Sequence, residues 1–72
     1  MTPAQCRNAR RLIGMRQAEL AKVADIPRTA LSDFEVSSLS LKPAYLEAVR
    51  RVLETAGVEF IERGVRLTKG GQ

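Results

Sequence analysis

Apolar residues recur at helical spacing through most of this chain, then change to alternation near its end. Cys6, Ala9 and Ile13 mark one stripe, with Leu12 beside it, which predicts a helix over about 3–13. Thr2 can cap that helix, Pro3 fits its first position and Gln5 can complete a capping box, while Gly14 supplies a stop. Leu20, Ala21 and Ala24, with Val23 alongside, predict a short second helix over about 17–24, with Glu19 favourably placed in its first turn. Asp25 and Ile26 break the pattern. A third helix is predicted over about 27–35, opened by Pro27, with Ile26 stapled to Leu31 and with Leu31 and Phe34 facing inward. Arg28 and Ser32, and likewise Thr29 and Asp33, are spaced to share the outward face.

Residues 36–42 read as a loop, in which Leu39 and Leu41 are expected to cover a thin core. Pro43 opens a fourth helix over about 43–56, lined by Leu46, Val49, Leu53 and Ala56 and widened by Tyr45 and Val52. Glu47 stands four residues before Arg51, a favourable surface pair, and Gly57 is the expected left-handed stop. Beyond it the period changes. Segments 58–62 and 65–68 alternate as short strands around Arg63-Gly64, and residues 69–72 are expected to fray. The expected fold is mainly α, with four helices and a short C-terminal β segment.

At 72 residues the chain is one domain, and a domain of that size buries only about 60% of its unfolded surface. Its single cysteine, Cys6, rules out an internal disulfide, suits a reducing compartment and falls in the apolar stripe of the first helix. No apolar run is long enough to span a bilayer, and the N-terminus lacks the hydrophobic region of a signal peptide, so a cytoplasmic protein without a membrane partner is expected. Net charge +4 favours a polyanionic partner. The chain has no histidine, which removes histidine-based acid–base catalysis and histidine metal sites. With one thiol and no grouping of nucleophile, base and orienting residue, neither an enzyme, a metal site nor a cofactor is expected.

The order of features from Gln17 to Glu35 points to a partner. A short helix with small Ala21 at its middle admits a close crossing, a tight turn follows, and a second short helix is anchored by Leu31 and Phe34. Such a unit leaves the second helix protruding, and a protruding helix fits the major groove, about 12 Å wide. Gln17-Ala18-Glu19-Leu20-Ala21, followed by Ile26-Pro27-Arg28-Thr29-Ala30-Leu31-Ser32-Asp33-Phe34-Glu35, resembles the helix-turn-helix of the Cro and phage-repressor (Xre-like) family. The resemblance covers about 3–56 and implies a lambda-repressor-like four-helix domain. It extends into Gly57-Val58-Glu59-Phe60 and Gly64-Val65-Arg66-Leu67, which are similar to the ends of small bacterial regulators with a C-terminal β segment.

The resemblance implies roles for individual residues. Arg28 and Thr29 would reach base edges, and Ser32 and Asp33 would read further bases or touch the backbone. Gln17 would bond a phosphate and can also touch the base-contacting residue on the next helix; Arg16, which adjoins it, and Lys42 are further phosphate candidates. Arg10 and Glu35 match a buried ion pair tying the first helix to the end of the third. The sequence also departs from the family. Asp25 stands where glycine is usual, Arg16 replaces a Ser or Thr cap, and Val36-Ser37-Ser38 lacks the usual glycine and basic residues. A β segment replaces a fifth helix. Double-stranded DNA is therefore the expected partner and sequence-specific transcriptional regulation the expected function. The rival is a protein-interaction module of antitoxin or adaptor type, with a toxin as a possible partner.

Several positions keep two readings. Arg28 can pair bidentately with guanine or remain a solvated charge. Asp33 can accept from cytosine, orient Arg28 or Lys42, or face water. Arg7, Arg11 and Arg16 read as a solvated face, with a phosphate contact as the alternative for Arg16, and Tyr45 reads as the edge of the core. A single recognition helix offers few base contacts, so a homodimer on a pseudo-palindromic site is expected. Val58, Phe60, Val65 and Leu67 are its interface candidates; alternatively, Phe60 and Leu67 fold back on the chain's own fourth helix.

Overall fold

The structure, a computed structural model, describes residues 1–68. Four helices, α1 (Pro3–Ile13), α2 (Gln17–Ala24), α3 (Arg28–Ser37) and α4 (Pro43–Thr55), precede strands β1 (Val58–Ile61) and β2 (Gly64–Leu67). The expected fraying of residues 69–72 lies outside the described residues.

Local chemistry accounts for most of these bounds. Thr2 and Gln5 form a reciprocal capping box, the Gln5 N–H donating to Thr2 Oγ1 at 3.1 Å and the Thr2 N–H to Gln5 Oε1 at 2.9 Å. Gly14 ends α1 at φ 67°, and Asp25 ends α2 at φ 59°. A side chain at such an angle costs about 1–2 kcal/mol. The Asp25 N–H still closes on the Lys22 carbonyl at 3.1 Å and the Ile26 N–H on the Ala21 carbonyl at 3.0 Å, so the turn forms. Arg16 stands at the N-cap of α2 and gives no side-chain cap.

Three helix boundaries and the bounds of both strands differ from expectation. Pro27 is the extended residue before α3, and the helix runs on to Ser37, where Ser38 turns left-handed at φ 58°. The burial of Glu35 is the reason: it keeps the last turn against the core, so Val36 and Ser37 continue as helix. At the end of α4, Ala56 stays right-handed and the left-handed angle falls one residue later, at Gly57, φ 104°. The Thr68 N–H then donates to the Gly57 carbonyl at 2.7 Å, closing the base of the hairpin. Within the hairpin, Val58 pairs with Leu67, Phe60 with Val65 and Ile61 with Gly64. The turn is therefore Glu62-Arg63, and Gly64 belongs to β2.

Leu20, Leu31, Leu53, Val49, Val58 and Cys6 form the fully buried centre. Ile26 and Leu31 both join that core, where the hydrophobic staple needs them. Leu41 is buried, but Leu39 is 55% exposed and covers nothing. The Leu39 N–H reaches back to the Asp33 carbonyl at 3.1 Å, and this return of the chain turns its side chain outward. Both strands pack on α1, and β1 also on α4, so the hairpin folds back on its own chain, chiefly on the first helix. Val58 is 2% exposed and belongs to the core of the protomer, which withdraws it from any interface.

Candidate nucleic-acid interface

The α2–turn–α3 unit presents one face of α3 to solvent. Leu20 and Ala21 of α2 and Leu31, Phe34 and Glu35 of α3 are buried, and small Ala21 permits the close crossing. On the opposite face Arg28, Thr29 and Asp33 are exposed, and Ser32 is half-buried. The N-terminus of α3 has no side-chain cap. No side chain therefore caps its first amide groups, of which the Ala30 N–H closes on the Pro27 carbonyl at 3.1 Å, and the positive end of the helix dipole stands behind them. Arg28 adds a full charge there. Among the described residues neither Arg28, Arg16 nor Asp33 joins a salt bridge, so Asp33 orients neither Arg28 nor Lys42 in the free protein. Arg16 is exposed at the start of α2. Lys42, at the start of α4, holds its ammonium 5.3 Å from the centre of the Tyr45 ring.

The other end of α3 is bound tightly. Glu35 is fully buried, and Arg10 meets its carboxylate twice, Nε at 2.9 Å and Nη2 at 2.6 Å. Cys6 Sγ donates to the same carboxylate at 2.9 Å, and Gln17 Nε2 at 3.3 Å. Arg7 donates to the Glu35 backbone carbonyl. Arg10 also donates to the Met15 carbonyl at 3.2 Å, which fixes the α1–α2 turn. One residue of α3 thus gathers donors from two other helices.

Burial alone would raise the pKa of Glu35, but the hydrogen bonds from Arg10, Cys6 and Gln17 outweigh it and hold the carboxyl below its ordinary range. Burial, reinforced by the Glu35 hydrogen bond, pushes the Cys6 thiol far up, so Cys6 is a neutral donor. The hydrogen bond to Glu35 raises Arg10.

Sequence reasoning placed Arg10 and Glu35 together but left Arg7 in a solvated face and Cys6 as plain core. Their signal was the i, i+1, i+4 spacing of Cys6, Arg7 and Arg10, which sets three donors on one side of α1. Gln17 differs from its expected role in one respect. One of its amide protons goes to Glu35.

Of the dimer candidates, Phe60 and Val65 are half-buried against the core and Leu67 is 51% exposed. The Gln5 amide, already in the capping box, also donates to the carbonyls of Ile61 at 2.9 Å and Gly64 at 3.1 Å. It pins the hairpin turn to α1. Arg66 and Glu59 pair at 2.8 Å on the outer face of the sheet. Among the described residues no helix is long and apolar enough to cross a membrane.

Compared with known proteins, the chain matches no curated protein. A family model described as Helix-turn-helix matches residues 7–60, a stretch that begins at Arg7 and takes in the whole α2–turn–α3 unit. The chain therefore belongs to the Xre/Cro-like helix-turn-helix family, whose members bind DNA through this unit.

Proposed function

We propose that the protein is a sequence-specific transcriptional regulator that lays α3 in the major groove of double-stranded DNA. The observation that carries this reading is the two-sided character of α3. Its inner face is locked to α1 and α2, while Arg28, Thr29, Ser32 and Asp33 face outward around an uncapped N-terminus. Arg28 and Thr29 read base edges from the first turn, and Ser32 and Asp33 act one turn on. Gln17, Arg16 and Lys42 contact phosphates and set register. Selection of bound sites from random duplex DNA at near-physiological salt tests the reading. Recovery of a common motif supports it, and recovery of unrelated sequences refutes it.

The regulator acts in the cytoplasm as a homodimer on a pseudo-palindromic site, paired through the hairpin. With Val58 in the core, the pairing surface is the open strand edge together with 51%-exposed Leu67, which shares its face of the sheet with half-buried Phe60 and Val65. Leu67→Lys, which leaves the core intact, is expected to shift sedimentation from dimer to monomer. A wild-type monomer at tens of micromolar would rule the dimer out.

A second reading, a protein-interaction module of antitoxin or adaptor type, is favoured by the end of α3 and the loop that follows it. There Val36 and Leu39 are exposed beside serines, with no basic residue before Lys42. Val36→Ser with Leu39→Ser leaves DNA binding unchanged if the loop serves a protein partner.

A further inference from the structure

We propose that Arg7 is a positioning residue for DNA reading, which sets the tilt of α3 from behind without touching DNA. The Glu35 carbonyl lies in the last turn of α3, where backbone acceptors have no helical donor of their own. The Leu39 N–H, the natural partner four residues on, goes to Asp33 instead. Among its own residues α3 has no basic side chain in its last turn. Arg7 of α1 supplies both the missing donor and the missing positive charge at the negative end of the dipole.

Arg7 and Arg10 hold Glu35 differently. Arg10 grips the carboxylate, and the rotatable side chain of Glu35 lies between that grip and the helix. Arg7 grips the peptide itself, so its position passes directly to the helix axis. Arg28 lies seven residues away, or about 10 Å at a rise of about 1.5 Å per residue. A tilt of about 5° at the Glu35 end therefore displaces Arg28 by about 1 Å over that length. A bidentate arginine–base contact tolerates little of that, whereas a phosphate contact through a flexible side chain tolerates more. Loss of Arg7 should thus cost discrimination and leave general affinity in place.

The proposal rests on α3 as the reading helix, and the test separates the two. Site selection with the wild-type protein comes first; absence of a preferred site would overturn the function, not the role of Arg7. Residual dipolar couplings of the DNA-free protein then compare wild type with Arg7→Met and Arg7→Lys. The α3 amides should reorient relative to α1 in Arg7→Met, and Arg7→Lys should restore much of the wild-type pattern. An unchanged α3 orientation in a folded Arg7→Met protein overturns the proposal without reference to DNA. On DNA, Arg7→Met should lower affinity for the selected site about tenfold while leaving non-specific affinity and the salt slope unchanged. Equal loss on both DNAs, with a slope smaller by about 1, would make Arg7 a phosphate contact instead.

Discussion

The two ends of α3 are built on opposite principles. At the Glu35 end a buried carboxylate and the carbonyl of the same residue take hydrogen bonds from Cys6, Arg7, Arg10 and Gln17. At the Arg28 end there is no side-chain cap and no salt bridge among the described residues. A recognition helix has to be precise in direction yet free at its tip. In the proposed function the asymmetry meets both demands: rigidity is concentrated at the end turned away from DNA, and the end that would read it is left without a side-chain cap. The buried knot is better understood as a device for orientation than for stability, since a buried ion pair gains little over an apolar substitute of similar shape.

The comparison can be broken most severely at the bound end. Glu35→Ala would leave the largely buried Arg10 charge without its ion partner, and it is expected to cost up to about 3–5 kcal/mol. Urea unfolding measures it, and a loss below about 1 kcal/mol would mean that water replaces the carboxylate. At the free end, Arg28→Ala is expected to cost about 1–3 kcal/mol of DNA binding and to relax preference at one base pair per half-site. Its own stability should stay within about 0.5 kcal/mol of wild type, as for an ordinary surface position. Binding titrations and thermal unfolding on the same samples would reveal whether the two effects separate as expected.

A smaller effect is expected at the turn between the helices. Asp25→Gly should stabilise the fold by about 1 kcal/mol by relieving the left-handed angle, with little change at the buried knot. A destabilised Asp25→Gly protein would show that the Asp25 side chain holds the turn.

Acid sharpens the contrast further. The Glu35 carboxyl is held low in the folded state, so its stabilising contribution is present above the unfolded pKa of about 4.3 and is lost as pH falls through the folded value. Cys6 runs the other way. Its raised folded pKa gives a contribution that is fully present below the unfolded thiol pKa of about 8.5 and is lost as pH rises above it towards the folded value. Glu35→Gln should flatten the acid limb of the stability curve. A curve unaffected by Glu35→Gln would place the acid-sensitive carboxylate elsewhere.

Much of this was legible in the chain. The capping box at Thr2 and Gln5, the break at Asp25 and the inward Leu31 and Phe34 are local, because each depends on residues within a few positions of itself. The outward row of Arg28, Thr29, Ser32 and Asp33 follows from the same periodicity. The second use of Gln5 was not legible: its amide spans the distance from α1 to the hairpin turn, and no local pattern records that pairing. The hairpin register was shifted for a related reason. Alternation alone fits a turn at Arg63-Gly64 or at Glu62-Arg63, and the pairing of Phe60 with Val65 selects the latter.

Sequence by itself determined the order of elements, the inner and outer faces of α3 and the helix-turn-helix resemblance, because these depend on period, caps and turn residues close together in the chain. Tertiary structure alone decided that Cys6 and Arg7 join Glu35, that Val58 is core, and that Leu39 faces water. Those outcomes depend on which face of α1 meets the end of α3 and how the hairpin settles on α1. Such contacts join residues far apart in the chain, where competition for buried donors and space, not local preference, sets the result.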